Sequence, residues 1–235
     1  NITFDMSIIQ LIEGKILDSS FDKTPIITIS GPTGIGKSNL ALSLAKKING
    51  VIINADSMQI YKELKIISSQ PSNRDKRIVS HELYSIRSIC QSFSVMDWLE
   101  IVEKKLDEIF NKNKKPIIVG GTGLYIKSAI NGISKIPKVD KEVLDNCLKL
   151  FEKIGIIEFK KLVKKIDENF IIKNIDKQRL IRAYSVYLQT GQAISEWHKS
   201  SEISKIYNTF YSILLEQERE KNYKNCENRF DEFID

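Results

Sequence analysis

Hydrophobic positions along the chain keep two rhythms, and the change comes near Asp140. Before it, short unbroken apolar runs at residues 25–30, 51–54 and 116–119 alternate with segments of helical period. Runs of that length, rich in isoleucine and valine, read as strands buried on both faces, the signature of a parallel sheet. Residues 6–17, before the first run, and 37–48, after it, read as helices, the second with Leu40, Ala41, Leu44, Ala45 and Ile48 on one face. Residues 94–110 form a third, with Val95, Trp98, Leu99, Val102, Leu106, Ile109 and Phe110 on its apolar side and Ser94 with Asp97 as a capping pair. Residues 62–92 are polar and irregular, with Ser68, Ser69, Pro71, Ser72 and Asn73 clustered, so they read as a loop or lid.

After Asp140 the alternation stops, and residues 141–151, 156–166 and 175–188 all show helical spacing, with Gly191 as a C-terminal stop. Residues 207–215 then read as a strand returning to the sheet, and 216–235 as an amphipathic helix carrying Tyr223, Cys226, Phe230 and Phe233. The expectation is an α/β fold: a P-loop NTPase-like parallel sheet flanked by helices, with a helical insertion. Its parts are an N-terminal extension (1–24), the α/β core (25–137), the insertion (138–204), and the return strand with the start of a terminal helix (205–235).

The first strand runs into Gly31-Pro32-Thr33-Gly34-Ile35-Gly36-Lys37-Ser38, which meets G-x-x-x-x-G-K-[ST] at every fixed position. Glycines let backbone N–H groups turn inward around phosphate, and the helix that follows adds its positive end. Lys37 would reach the terminal phosphate and the Ser38 hydroxyl would ligate Mg²⁺. The second strand ends in Ala55-Asp56-Ser57-Met58-Gln59, which puts a carboxylate at the sheet edge where open α/β folds bind ligands. Asp56 and Ser57 could equally serve as a helix N-cap. The third strand leads into Gly120-Gly121-Thr122-Gly123-Leu124-Tyr125, a second glycine-rich turn that opens on the same edge. Its glycines fit tight packing as well as they fit a role for Thr122.

Composition adds a few bounds. The chain has 235 residues, is 42% hydrophobic and carries a formal net charge of +6. That charge fits a polyanionic partner, although abundant lysine, isoleucine and asparagine also follow from AT-rich coding DNA. No apolar run approaches the ~18 residues of a membrane span. Cys90, Cys147 and Cys226 lack paired spacing and point to reduced thiols in a cytoplasmic protein. His81 and His198 are too scattered for a metal site. Asn1 stands first, and Asp235 falls inside an amphipathic pattern, so the chain reads as cut at both ends.

Taken together, these blocks resemble the tRNA dimethylallyltransferases. The resemblance rests on Gly31 to Ser38, on Asp56-Ser57-Met58-Gln59-Ile60-Tyr61, on Tyr84-Ser85-Ile86 and on Phe93 to Asp97. It continues through Lys115 to Tyr125 and through Asp176-Lys177-Gln178-Arg179-Leu180-Ile181-Arg182-Ala183. It implies transfer of a dimethylallyl group from dimethylallyl diphosphate to N6 of adenine 37 in the anticodon stem-loop of a tRNA, by a monomer. The leaving diphosphate would be held by the loop amides, by Lys37 and by Mg²⁺ on Ser38, and the weakly nucleophilic amine needs a base, for which Asp56 is the candidate. By the resemblance, Thr122 would place Asp56 or the diphosphate. Ser57, Met58 and Gln59 would line the pocket of a flipped-out adenine, and residues 178–182 would contact tRNA.

Three departures stand against the family pattern. Leu144 replaces an expected arginine, Ser80-His81 replaces paired histidines, and Ile67-Ser68-Ser69-Gln70-Pro71 replaces Gly-Thr-Ala-Lys-Pro. Family members also run on beyond Asp235, so the chain is expected to keep donor binding but transfer weakly, with a fraying terminal helix. Two rival readings are a small-molecule P-loop kinase and a truncated, inactive relative that only binds RNA.

Overall fold

The computed structural model describes residues 6–17, 24–170, 176–200, 203–204, 206–207 and 209–234. It divides into two compact units, residues 1–132 with 205–235, and residues 133–204.

The first unit is built on a five-stranded sheet of order β3-β2-β4-β1-β7, with every neighbouring pair parallel. The strands are β1 (Ile26–Ser30), β2 (Gly50–Asn54), β3 (His81–Glu82), β4 (Lys115–Gly120) and β7 (Phe210–Leu214). The three apolar runs are β1, β2 and β4, buried almost throughout, as strands covered on both faces must be. Ile27, Ile29, Ile52, Ile117 and Val119 pack with α1 (Met6–Leu17) and the buried face of α2 (Lys37–Ile48). Alternation turns Ile26, Ile53 and Ile118 to the other side of the sheet. There, α4 (Val95–Asn111) and α5 (Gly123–Asn131) contribute Trp98 stacked on Tyr125 at 4.9 Å. The expected return strand is β7, in register with β1 from Ile26–Phe210 to Ser30–Leu214.

The expected irregular lid has more order than its polarity suggests. It contains α3 (Asn73–Ile78), closed by a capping box between Ser72 and Asp75, and the two-residue strand β3. The terminal helix α9 (Arg219–Ile234) docks on the phosphate loop. Asn225 Nδ2 donates to Gly34 O at 3.2 Å, and Cys226 Sγ lies 3.6 Å from Thr33 O. Those contacts supply a packing partner that the sequence pattern did not reveal.

The second unit is helical. α6 (Lys141–Ile166) kinks at Gly155, whose φ of 75° breaks the run where the sequence suggested two helices. α7 (Lys177–Thr190) starts at Asp176, whose carboxylate accepts the Gln178 and Arg179 N–H groups, and stops at Gly191 with φ 72°. α8 (Ile194–Ser200) follows, and β5 (Ile133–Ser134) pairs antiparallel with β6 (Ile203–Ser204). Cys147, Phe151, Phe159, Val163, Leu180, Ile181 and Val186 form this unit's core.

Candidate functional site

The phosphate loop sits at the carboxyl end of β1. Gly36 caps α2 in the left-handed region (φ 92°) with no side-chain cap, so the first amides of the helix keep their donors for a ligand. Gly34 is likewise left-handed, at φ 82°. Ile35 is buried and anchors the loop, whereas Pro32, Thr33 and Ser38 are exposed. Lys37 Nζ donates to Gly31 O at 2.9 Å and to Pro32 O at 2.7 Å, folding the ammonium back over the loop. Burial lowers its pKa first of all; Asp56 opposes the shift and Arg229 reinforces it.

Asp56 follows β2 and caps no helix. Its Oδ1 accepts the Met58 N–H at 2.9 Å in a tight turn. A Cβ built on Gly121 would lie 3.6 Å from Asp56 Oδ2 and 3.9 Å from Lys37 Nζ, so one point beside the second glycine turn touches both groups. Thr122 Oγ1 accepts the Ser57 N–H at 2.9 Å and donates to Ser57 Oγ at 3.3 Å. It does not cap α5. Tyr84 and Tyr125 stand behind Asp56. Burial drives both phenols upward, with Asp56 adding to each shift, and Tyr125 reaches about 12.

A pocket of about 400 Å³ brings the phosphate loop together with Asp56. Its floor is Thr33, Gly34, Gly36, Lys37 and Ser38, with Asp56 and Gln59 on one side. The lid supplies Ser68, Ser69, Gln70, Asp75 and His81, and α9 supplies Asn225, Asn228 and Arg229. His81 donates Nδ1–H to Val79 O at 2.8 Å, and burial lowers its pKa. Spacing of i, i+3, i+4 was the one sequence signal that could have singled out Asn225, Asn228 and Arg229.

One expected placement changes. Met58 is 53% exposed, and Gln59 stays on the pocket wall, where its amide donates to Ser68 O and Ser69 O and so ties down the lid. The change falls on the helical unit. Within the tRNA-facing stretch, Leu180 and Ile181 are core side chains of the helical unit, 0% and 5% exposed, because α7 turns that stripe toward α6. The polar side of the stretch is Gln178, Arg179 and Arg182. Arg179 stands 3.9 Å from Asp176, and Arg182 donates to Pro137 O at 3.4 Å.

A phosphate loop on a parallel sheet, with a carboxylate at the end of β2 on the same edge, defines a P-loop α/β protein. The profile of the IPP transferase family matches residues 59–235, and the chain belongs to that family. It is 42% identical over 211 residues to the tRNA dimethylallyltransferase of Rickettsia canadensis, covering 88% of this chain and 65% of that one. It is 40% identical over 201 residues to the enzyme of the same name from Pelagibacter ubique, covering 85% of this chain and 64% of that one. The chain thus spans somewhat under two thirds of the length of these relatives.

Among solved structures, it is similar to a eukaryotic dimethylallyltransferase described as acting on tRNA. That match has a TM-score of 0.75 at 25% identity and covers 89% of this chain and 52% of that one. The tRNA isopentenylpyrophosphate transferase of Bacillus halodurans matches with a TM-score of 0.58 at 27% identity, over 90% of this chain and 66% of that one. Among the described residues no helix is long and apolar enough to cross a membrane.

Proposed function

We propose that this chain carries the donor and acceptor-base half of a tRNA dimethylallyltransferase, moving a dimethylallyl group from dimethylallyl diphosphate to N6 of adenine 37. The observation that carries the reading is the convergence of Asp56 Oδ2 and Lys37 Nζ on the Gly121 edge. The diphosphate lies on the loop amides at the α2 N-terminus, with Lys37 and Arg229 balancing its charge. The N6 lone pair forms a bond to the allylic C1 as the C1–O bond breaks, and the electron pair leaves on diphosphate. Asp56 accepts the N6 proton, and Thr122 holds the Ser57 turn in place.

The donor set also fits Mg²⁺. Ser38 and Asp75 offer oxygen ligands around the pocket, with Asp56 left for the N6 proton, and the described residues contain no group of three acidic, histidine or cysteine side chains that would cage a metal alone. Such a sparse oxygen set suits an ion that arrives with substrate phosphates. When bound, the ion would neutralise part of the diphosphate charge. Gln178, Arg179 and Arg182 offer the helical unit's polar contact to tRNA phosphates, which points to work in the cytoplasm.

The test is a transfer assay with labelled dimethylallyl diphosphate and an unmodified anticodon stem-loop. Wild type should label the RNA, and Asp56→Asn should cut the rate by roughly 10²-fold or more while keeping donor affinity. Protection from heat by ATP, without protection by dimethylallyl diphosphate, would return the chain to the kinase reading.

A further inference from the structure

The strand that delivers Asp56 ends in a fully buried carboxamide. Asn54 is 0% exposed, flanked by the apolar Ile53 and Ala55, and a polar side chain in such a place survives only when its hydrogen bonds are made. Here two of them go to a single residue. Asn54 Oδ1 accepts the Asp56 N–H at 2.9 Å, and Asn54 Nδ2 donates to Asp56 O at 3.0 Å. The same amide nitrogen donates to Leu83 O at 3.1 Å. The Asn54 backbone carbonyl takes the Trp98 Nε1–H at 2.8 Å, and Trp98 is itself fixed against Tyr125. One side chain therefore grips both main-chain polar groups of Asp56, and a rigid aromatic pair anchors its own backbone.

The grip has a consequence for the carboxylate. With the Asp56 main chain held, Oδ1 is committed to the Met58 N–H, which leaves Oδ2 on the Gly121 side near Lys37. The third bond reaches the lid. Leu83 sits at φ 65° and Ser85 at φ 55°, conformations that non-glycine residues adopt at a cost and keep only when neighbours hold them. Gln59 ties the other end of the same segment through Ser68 and Ser69.

We propose that Asn54 is a positioning residue for the transfer, orienting Asp56 so that Oδ2 alone faces the acceptor amine and linking that orientation to the lid turn at Leu83. The proposal rests on the reading of Asp56 as the proton acceptor.

The experiment compares Asn54→Ala and Asn54→Ser with wild type in the full chain, using dimethylallyl diphosphate and the stem-loop. The expected result is a kcat lowered roughly 10-fold for alanine, with partial recovery for serine, whose hydroxyl can still accept the Asp56 N–H. The KM for the donor should stay within about twofold, because the loop amides and Lys37 are untouched. Wild-type kcat in both variants would overturn the proposal, as would a loss confined to KM. If the alanine variant fails to fold, the serine variant decides by the same split.

If wild type transfers nothing, the proposed activity falls, and amide exchange tests Asn54 by itself. The Met58 N–H should exchange roughly 10-fold faster in the serine variant although its own acceptor is intact, while Ile52 stays protected. Unchanged exchange at Met58 would overturn the proposal.

Discussion

The two glycine turns, residues 31–36 and 120–123, look alike in sequence and do opposite things with their missing side chains. Each follows a buried strand and opens a helix on the same edge of the sheet. In the first turn Gly34 and Gly36 supply backbone conformations, while Gly31 lets Leu215 O come within 2.6 Å of where a Cβ would stand. Gly34 and Gly36 take positive φ, and the amides they expose have no partner side chain at the cap. In the second the glycine supplies space. A Cβ on Gly120 would lie 2.1 Å from Ala55 O and 2.2 Å from Ala55 C, so β4 can approach the end of β2 only without one. That approach lets Ala55 N donate to Val119 O at 2.8 Å and brings Thr122 within reach of Ser57. One turn leaves helix-end amides without a side-chain cap; the other sets where the carboxylate stands.

The largest expected effect separates the turns by stability. Gly120→Ala must push backbone against backbone, and overpacking of that kind costs about 3 kcal/mol, the upper end of its usual range. Thermal unfolding should shift down by about 6–12 °C. Gly121→Ala has only ordinary contacts at its Cβ, so its melting temperature should stay close to wild type while transfer suffers. Equal melting temperatures for the two variants would erase the distinction drawn for Gly120.

A smaller effect is expected at the neighbouring threonine. Thr122→Val keeps the shape and removes the acceptor of the Ser57 N–H, a loss of about 1–2 kcal/mol. Transfer should slow by roughly tenfold with donor affinity unchanged. A loss of donor affinity instead would move Thr122 to the diphosphate.

The smallest effect concerns the lid wall. Burial lowers the His81 pKa below its ordinary 6.5, while Asp75 and the Val79 carbonyl oppose the shift and Lys76 adds to it. The unfolded chain therefore binds the proton more readily. The stability His81 contributes is present above about pH 6.5 and is lost as pH falls through the folded value. Wild type should lose more melting temperature between pH 7.5 and 5.5 than His81→Gln. Parallel losses would show that His81 titrates as freely folded as unfolded.

How much of this was legible in the sequence follows the range of the interactions. The phosphate loop, the three buried strands and the Ser94–Asp97 cap are local patterns, and all are found where periodicity and turn chemistry put them. The glycines at 120 and 121 were legible as a turn, but their use depends on Ala55 and Asp56, some sixty-five residues away in the chain. The lid's turns are held by Asn54 and Gln59, whose bonds span up to 29 positions, whereas the Ser72–Asp75 cap of α3 is a local pattern hidden in a polar stretch. Leu180 and Ile181 went astray because a motif names a stretch of helix and a helix has two sides. The docking of α9 on the loop left only a spacing of polar residues to find.

The account stands most directly on what the first turn holds. Calorimetric titration of dimethylallyl diphosphate, with Mg²⁺ present, into wild type and Lys37→Ala measures it. Loss of a charge-assisted contact of about 1.5–3 kcal/mol should weaken the variant tenfold or more, and inorganic diphosphate should follow the same order. Equal affinity of the two proteins for the donor would contradict the assignment of the loop as the diphosphate site.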